Sequence, residues 1–123
     1  MATLGNRVFD NGLTVLDTEA NAIHVTSQEA TTYAEATSTY TLGNSTSLSI
    51  GAAADRSGGG RKVAVAAITD GSITADGTAT HYAIVDTSNS RLLATAALTA
   101  SQSVTNGNTF TLATFDIGIP DPA

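Results

Sequence analysis

The chain has 123 residues, 5 Lys+Arg against 11 Asp+Glu, no Cys and no Trp, which is the length and balance of a single small acidic domain over 1–123 with extended termini. Ala and Thr supply 21 residues each, while Leu, Ile, Val and Phe together make only 26; this thin apolar set lies just above the composition at which chains stay disordered, so support from neighbouring subunits is expected. No apolar run approaches the roughly 18 residues that span a bilayer, no basic cluster offers a footing for nucleic acid, no charged-then-apolar leader opens the chain, and the lack of Cys excludes disulfides and thiolate metal sites.

In chain order, the first element is ambiguous. In DNGLTVLDTEA, Leu13, Leu16 and Ala20 fall at helical spacing behind Asn11 as a cap, while Asn11-Gly12 is also a hairpin signal. Asp17 and Glu19 flank the apolar positions without period-2 order, which favours a short helix over 11–20. Strand signals follow in AIHVTS, where Ile23 and Val25 alternate, and again in TSTYTLG and SLSIG. The segment AAADRSGGGRK, from Ala52 to Lys62, holds three consecutive glycines and three of the five cations, and reads as a mobile loop.

Residues 62–69 carry the clearest strand pattern, with Val63, Val65 and Ala67 alternating against Lys62, Ala64 and Ala66. Asp70-Gly71 and Asp76-Gly77 are turn dipeptides on either side of Ile73, and TATHYAIVD continues a meander with Tyr82 and Ile84 on one side. A polar turn from Asp86 to Arg91 leads into LLATAALTA, which propensity leaves between strand and helix; strand is favoured. Asn106-Gly107 supplies the next turn. Phe110 and Leu112 then share a register, while Phe115, Ile117 and Ile119 continue one step out of phase after Ala113-Thr114, where a bulge is expected.

Thr and the β-branched residues suit pleated surfaces better than helices. Seven or so short strands with regular turn signals therefore predict an all-β fold, a single antiparallel β-sandwich of jelly-roll-like type with one short N-terminal helix; a small barrel is the alternative. The ending DIGIPDPA, with Pro120 and Pro122, reads either as an arm laid on a neighbour, bringing Ile117 and Ile119 into subunit contact, or as an ordinary edge strand with a frayed end.

The chain is poor in catalytic signatures. His24 and His81 each sit in a predicted strand, with no third metal ligand placed by spacing, and a structural role outweighs that of base or ligand for both. There is no G-x-S-x-G nucleophile elbow. Asp17, Glu19, Glu29 and Glu35 could supply paired carboxylates, but no aromatic platform for sugars accompanies them. SGGGRK lacks the spacing of a phosphate loop; Asp70 and Asp76 are too sparse for calcium and read as turn residues. The glycine loop instead places Arg56, Arg61 and Lys62 where they could meet the carboxylates of an acidic subunit.

The phrases NRVFDNGLTVLDTEA, SQEATTYAEATSTYTLG, RSGGGRKVAVAAI and NTFTLATFDIGIPDPA, spread from Asn6 to Pro122, resemble small virion-associated proteins encoded among the structural genes of tailed bacteriophages and prophages. The resemblance implies a non-enzymatic structural role: capsid decoration, the base of a head fibre, or a tail or adsorption component. A net charge of -6 is repelled by packaged DNA, which favours the outer surface of the capsid. The expectation is a decoration protein of the virion, a trimer or another closed homo-oligomer, bound to the major capsid protein, with no cofactor, no metal, no nucleic acid and no membrane insertion. The alternative is a tail-tip or fibre module meeting a host receptor through Tyr33, Tyr40, Tyr82 and the glycine loop. A small hydrolase would need a pocket joining His24 or His81 to a carboxylate.

Overall fold

The computed structural model describes residues 5–120. The fold is mostly β, sandwich-like in class and antiparallel throughout, with one N-terminal helix. By compactness the described residues form two units: one from residues 5–19, 49–67 and 113–120, the other from 20–48 and 68–112.

The first unit opens with α1 (Asn6–Glu19). Phe9, Leu13 and Leu16 recur at i, i+4 and i+7 and are all buried, the apolar stripe that makes a helix worth forming against a sheet. The helix begins five residues before the expected start, so Asn11 lies within it rather than capping it. It packs on a three-stranded sheet of order β3-β4-β9, formed by β3 (Ala54–Asp55), β4 (Arg61–Val65) and β9 (Phe115–Ile119).

The expected mobile loop over 52–62 is therefore a hairpin, in which Ala54 pairs with Lys62 and Asp55 with Arg61. Gly58, Gly59 and Gly60 all take positive φ in its turn, a backbone open to glycine at little cost. The strand expected over 62–69 is two: β4 stops at Val65, and β5 (Ile68–Ile73) joins the other sheet. The SLSIG segment contributes one isolated bridge, Ile50 to Val65, instead of a strand. Of the two readings of the C-terminal segment, residues 115–119 pair along their length with β4 as an edge strand; Pro122 lies outside the described residues.

The second unit is a six-stranded sheet of order β7-β6-β1-β2-β5-β8. Its members are β1 (Ala22–Thr26), β2 (Thr41–Ser45), β5, β6 (Gly77–Asp86), β7 (Arg91–Val104) and β8 (Thr109–Leu112). β1 is central, paired to β6 and β2, and all five of its residues are buried. One face carries Ala22, Ala83 and Val85, covered by Ala30 and Ala36 with Tyr33, Tyr40 and Leu92 around them. The register places Ile23, Val25 and Ile84 on the other face.

The cover between β1 and β2 includes a π-helical turn, Glu35–Thr39, closed by the Tyr40 N–H donating to the Glu35 carbonyl at 2.9 Å. This stretch was expected to begin a strand at Thr37; the strand starts at Thr41. Asp70-Gly71 is no turn either. It lies inside β5, where the pairing with β8 slips between Ile68 and Gly71 and the ring of Phe110 occupies the space a Cβ on Gly71 would need. LLATAALTA is strand, as favoured, and Asn106-Gly107 turns with Gly107 at φ 91. The phase change at Ala113-Thr114, expected as a bulge, is the break at which β8 ends in one sheet and β9 begins in the other.

Candidate interaction surfaces

Alternation along β4 separates the three cations that the sequence groups together. Arg61, Val63 and Val65 share one face with Ile119, Ile117 and Phe115 of β9, while Lys62 and Ala64 share the other with Gly118 and Asp116. Arg61 thus faces α1. Its Nε donates to Asp10 Oδ1 at 2.9 Å, Nη2 to Asp10 Oδ2 at 3.3 Å, Nη1 to Asp55 Oδ1 at 2.6 Å, and Nη2 also to the Ala53 carbonyl at 3.3 Å. Its hydrogen bonds to the Asp10 and Asp55 carboxylates raise its pKa further above its already high value. This arginine clamps the helix to the hairpin.

Lys62 points the other way and pairs with Asp116 at 2.9 Å. Arg56 folds over the same face, donating to the Gly59 carbonyl at 3.0 Å, and its Cδ lies 3.0 Å from where a Cβ on Gly118 would stand. Arg56, Ser57, Lys62, Asp116 and Gly118 line an open depression of about 360 Å³. Two cations, one carboxylate and a hydroxyl give it mixed charge, a surface suited to polar contact with a protein. Ile117 is half-buried opposite Val63, and Ile119 is 37 % exposed. The sequence could not show the acids that engage these cations, because Asp10 lies 51 residues from Arg61 and Asp116 lies 54 from Lys62.

The second surface is the outer edge of β7, a terminal strand of the larger sheet. From Leu92 to Val104 it carries no charge, no Pro and no Gly, and Ala96, Ala97 and residues 99–103 are exposed. Its pairing with β6 slips twice, between Ile84 and Val85, opposite Ala94 and Leu92, and between Ala79 and His81, opposite Gln102 and Ala97, so residues 98–101 bow out against Thr80 alone. Natural edges are usually blunted by charge, Pro or brevity; the 14-residue β7 has the two slips but neither charge nor Pro after Arg91.

The remaining candidates are integral to the fold. His24 is buried on β1 and shares a 2.8 Å hydrogen bond between Nδ1 and Thr41 Oγ1; burial lowers its pKa. His81 hydrogen-bonds its neighbour Thr80 at 2.8 Å. The register sets the two histidines on the same face, one diagonal step apart on β1 and β6, but no group of three His, Cys, Asp or Glu able to hold a metal occurs among the described residues. Tyr33 and Tyr40 pack on the alanine cluster, whereas Tyr82 sits on the opposite face, where burial raises its pKa; the three tyrosines do not form one exposed platform.

Asp70 accepts from the hydroxyls of Ser47 at 2.5 Å and Ser45 at 3.0 Å, which hold its carboxyl below the usual range. Asp86, similarly lowered by Asn89 and the Ser88 and Asn89 backbone, closes the 86–91 turn. No family model, curated protein or solved structure matches this chain.

Proposed function

We propose that this chain is a non-enzymatic virion structural protein of the tailed-bacteriophage type, decorating the outer capsid shell through contacts with the major capsid protein and with its own copies. The observation that carries this reading is the long, uncharged, exposed edge of β7. Such an edge offers a row of backbone donors and acceptors to a neighbouring strand, a mode of association that needs no pocket and no special side chains. The acidic balance keeps the protein off packaged DNA, and the mixed-charge depression around Lys62 and Asp116 suits a polar contact repeated over a lattice, where many weak attachments sum to firm retention.

Cryo-electron microscopy of virions carrying the chain tests the proposal. Many copies at symmetric positions on the outer shell are expected, and lysines placed on the edge by Ala97→Lys and Ala100→Lys should abolish attachment while circular dichroism stays unchanged. A few copies at the tail end would overturn the decoration reading in favour of a tail or fibre component.

A further inference from the structure

Of the two edges of β4, one is taken by segments that precede it: β3 pairs with Arg61 and Lys62, the Gly51 N–H donates to the Ala64 carbonyl at 3.0 Å, and Ile50 bridges to Val65. The other edge is filled by β9 along its whole length, from Arg61 opposite Ile119 to Val65 opposite Phe115. Seat and occupant differ in burial. Val63 and Val65 are 1 % and 0 % exposed, whereas no residue of β9 is fully buried: Phe115 and Ile117 are half-buried, and Asp116, Gly118 and Ile119 are exposed. β9 ends its sheet and is joined to β8 by Ala113 and Thr114, both exposed. Its ion pair to β4, Asp116 with Lys62, has both partners at least 36 % exposed. A strand held by one neighbour and a screened ion pair opens more readily than the core, and its departure bares an unpaired edge beside two buried valines.

We infer that this edge of β4 is an interaction site for a second copy of the chain, occupied by the β9 of that copy in a reciprocal exchange. The structure itself defines the occupant: the strand seated on β4 shows which register and side chains the edge accepts, and an identical molecule carries the same strand. Val63 takes Ile117, Val65 takes Phe115 and Lys62 meets Asp116 whichever molecule supplies them. Thr114, whose hydroxyl donates to the Val65 carbonyl at 2.7 Å, travels with the strand and makes the same bond. The closed monomer and the exchanged pair thus hold the same β4–β9 contacts, and their balance rests on the entropy of association and on the connector. Short connectors such as Ala113-Thr114 favour such exchange. Chain order acts in the same direction. Asp116 lies 54 residues beyond Lys62, so a chain's own β9 reaches β4 only when that long loop closes, and at high concentration a neighbour's β9 competes with it. Reciprocal exchange closes on two copies and leaves neither β4 edge vacant.

The inference concerns the purified full chain and stands whether or not that chain belongs to a virion. Ala64 and Asp116 lie directly opposite each other and are both exposed, at the Cα separation of paired strands, which a disulfide can bridge. The chain has no native cysteine. Ala64→Cys and Asp116→Cys proteins are mixed, unfolded in urea, refolded together and then oxidised. Because neither protein holds both thiols, a link between residues 64 and 116 forms only where the β9 of one copy lies on the β4 of the other. The expected result is a heterodimer linked through that pair, identified by peptide mass mapping, after refolding at about 1 mM, and its loss after refolding at about 1 μM, far below the effective concentration of a chain's own strand. A Gly-Ser-Gly-Ser insertion between Ala113 and Thr114 should reduce the linked fraction. Absence of the 64–116 link under the concentrated condition, with circular dichroism showing both proteins folded, would overturn the inference. Links of 64 to 64 or of 116 to 116 in its place would show contact through another surface and overturn it as well.

Discussion

Arg61 and Asp10, 51 residues apart in the chain, form a two-point ion pair in which Nε and Nη2 of the guanidinium each meet one carboxylate oxygen. The side chain of Arg61 is 16 % exposed and that of Asp10 34 %, against 90 % for its other partner, Asp55. Exposed pairs are screened by water and contribute little, whereas a partly covered bidentate pair holds geometry as well as charge. Asp10→Ala is therefore expected to lower the thermal midpoint more than Asp55→Ala. Breaking the Lys62–Asp116 pair, with both partners at least 36 % exposed, should cost about 0–1 kcal/mol. Thermal melts of the three single variants, compared at low and high salt, check the ranking.

Phe9 and Leu13 are each 2 % exposed and, with Leu16, supply the buried stripe of α1. Phe9→Ala should destabilise by about 3–5 kcal/mol and Leu13→Ala by about 2–5 kcal/mol. In so small an apolar complement either loss is a large share of a typical domain's stability. Urea unfolding, with comparison of slopes as well as midpoints, is the measurement; a change near zero would mean that the helix is not seated on the β4 face.

The buried imidazole of His24 has its pKa lowered by desolvation, so the folded state binds fewer protons there than the unfolded state. Its contribution to stability is present above the ordinary histidine value of about 6.5 and is lost as pH falls through that value toward the depressed one. Stability should decline on acidification from pH 7 to 5, and His24→Gln should flatten that decline. The carboxyls of Asp70 and Asp86, held low by their hydrogen bonds, act in a separate window. Their contribution is retained above the ordinary carboxylate range and lost below it, so His24→Gln should leave the acid limb under about pH 4 in place. Urea midpoints across pH for both proteins decide it.

Gly60 sits at φ 90, and a Cβ there would meet the carbonyl of Ile119. The hairpin turn thus needs glycine twice over, for its backbone region and for the approach of β9. Gly60→Ala should cost about 1–3 kcal/mol, and hydrogen exchange should rise first in the amides that pair β4 with β9.

The strands that could be read from sequence are those whose alternation is enforced locally. β1 and β6 carry Ile23, Val25 and Ile84 at period 2, and the turns at 86–91 and 106–107 have the residues such turns require. The misreadings have physical causes. Asp70-Gly71 has turn chemistry, but the space occupied by the Phe110 ring, brought from β8, holds Gly71 inside a strand. β3 has two residues, too few for any period to show, so its hairpin looked like loop. Asn11-Gly12 suggested a cap or a hairpin, yet Gly12 serves helix-to-strand proximity beside Ile119.

At the candidate surfaces, the composition of the glycine-loop cluster was legible but its orientation was not. The division of Arg61 from Lys62 depends on strand register and on Asp10 and Asp116, all of them distant in sequence. The open edge of β7 follows from sheet order alone, which no local pattern encodes.

The two units share one chain that crosses from one to the other four times, near residues 19, 48, 67 and 112. No single cut yields either unit whole, and removing the last nine residues would strip β9 from β4 while leaving the six-stranded sheet with all its strands. Assembly is correspondingly ordered in time: the β6–β7 hairpin needs only short-range closure, whereas the α1, β4 and β9 ensemble must gather segments from both ends and the middle of the chain, an entropic cost met late. A nascent chain therefore carries an incomplete helix-and-hairpin unit until β9 emerges, and during that interval the β4 edge is open to a β9 strand donated by another molecule.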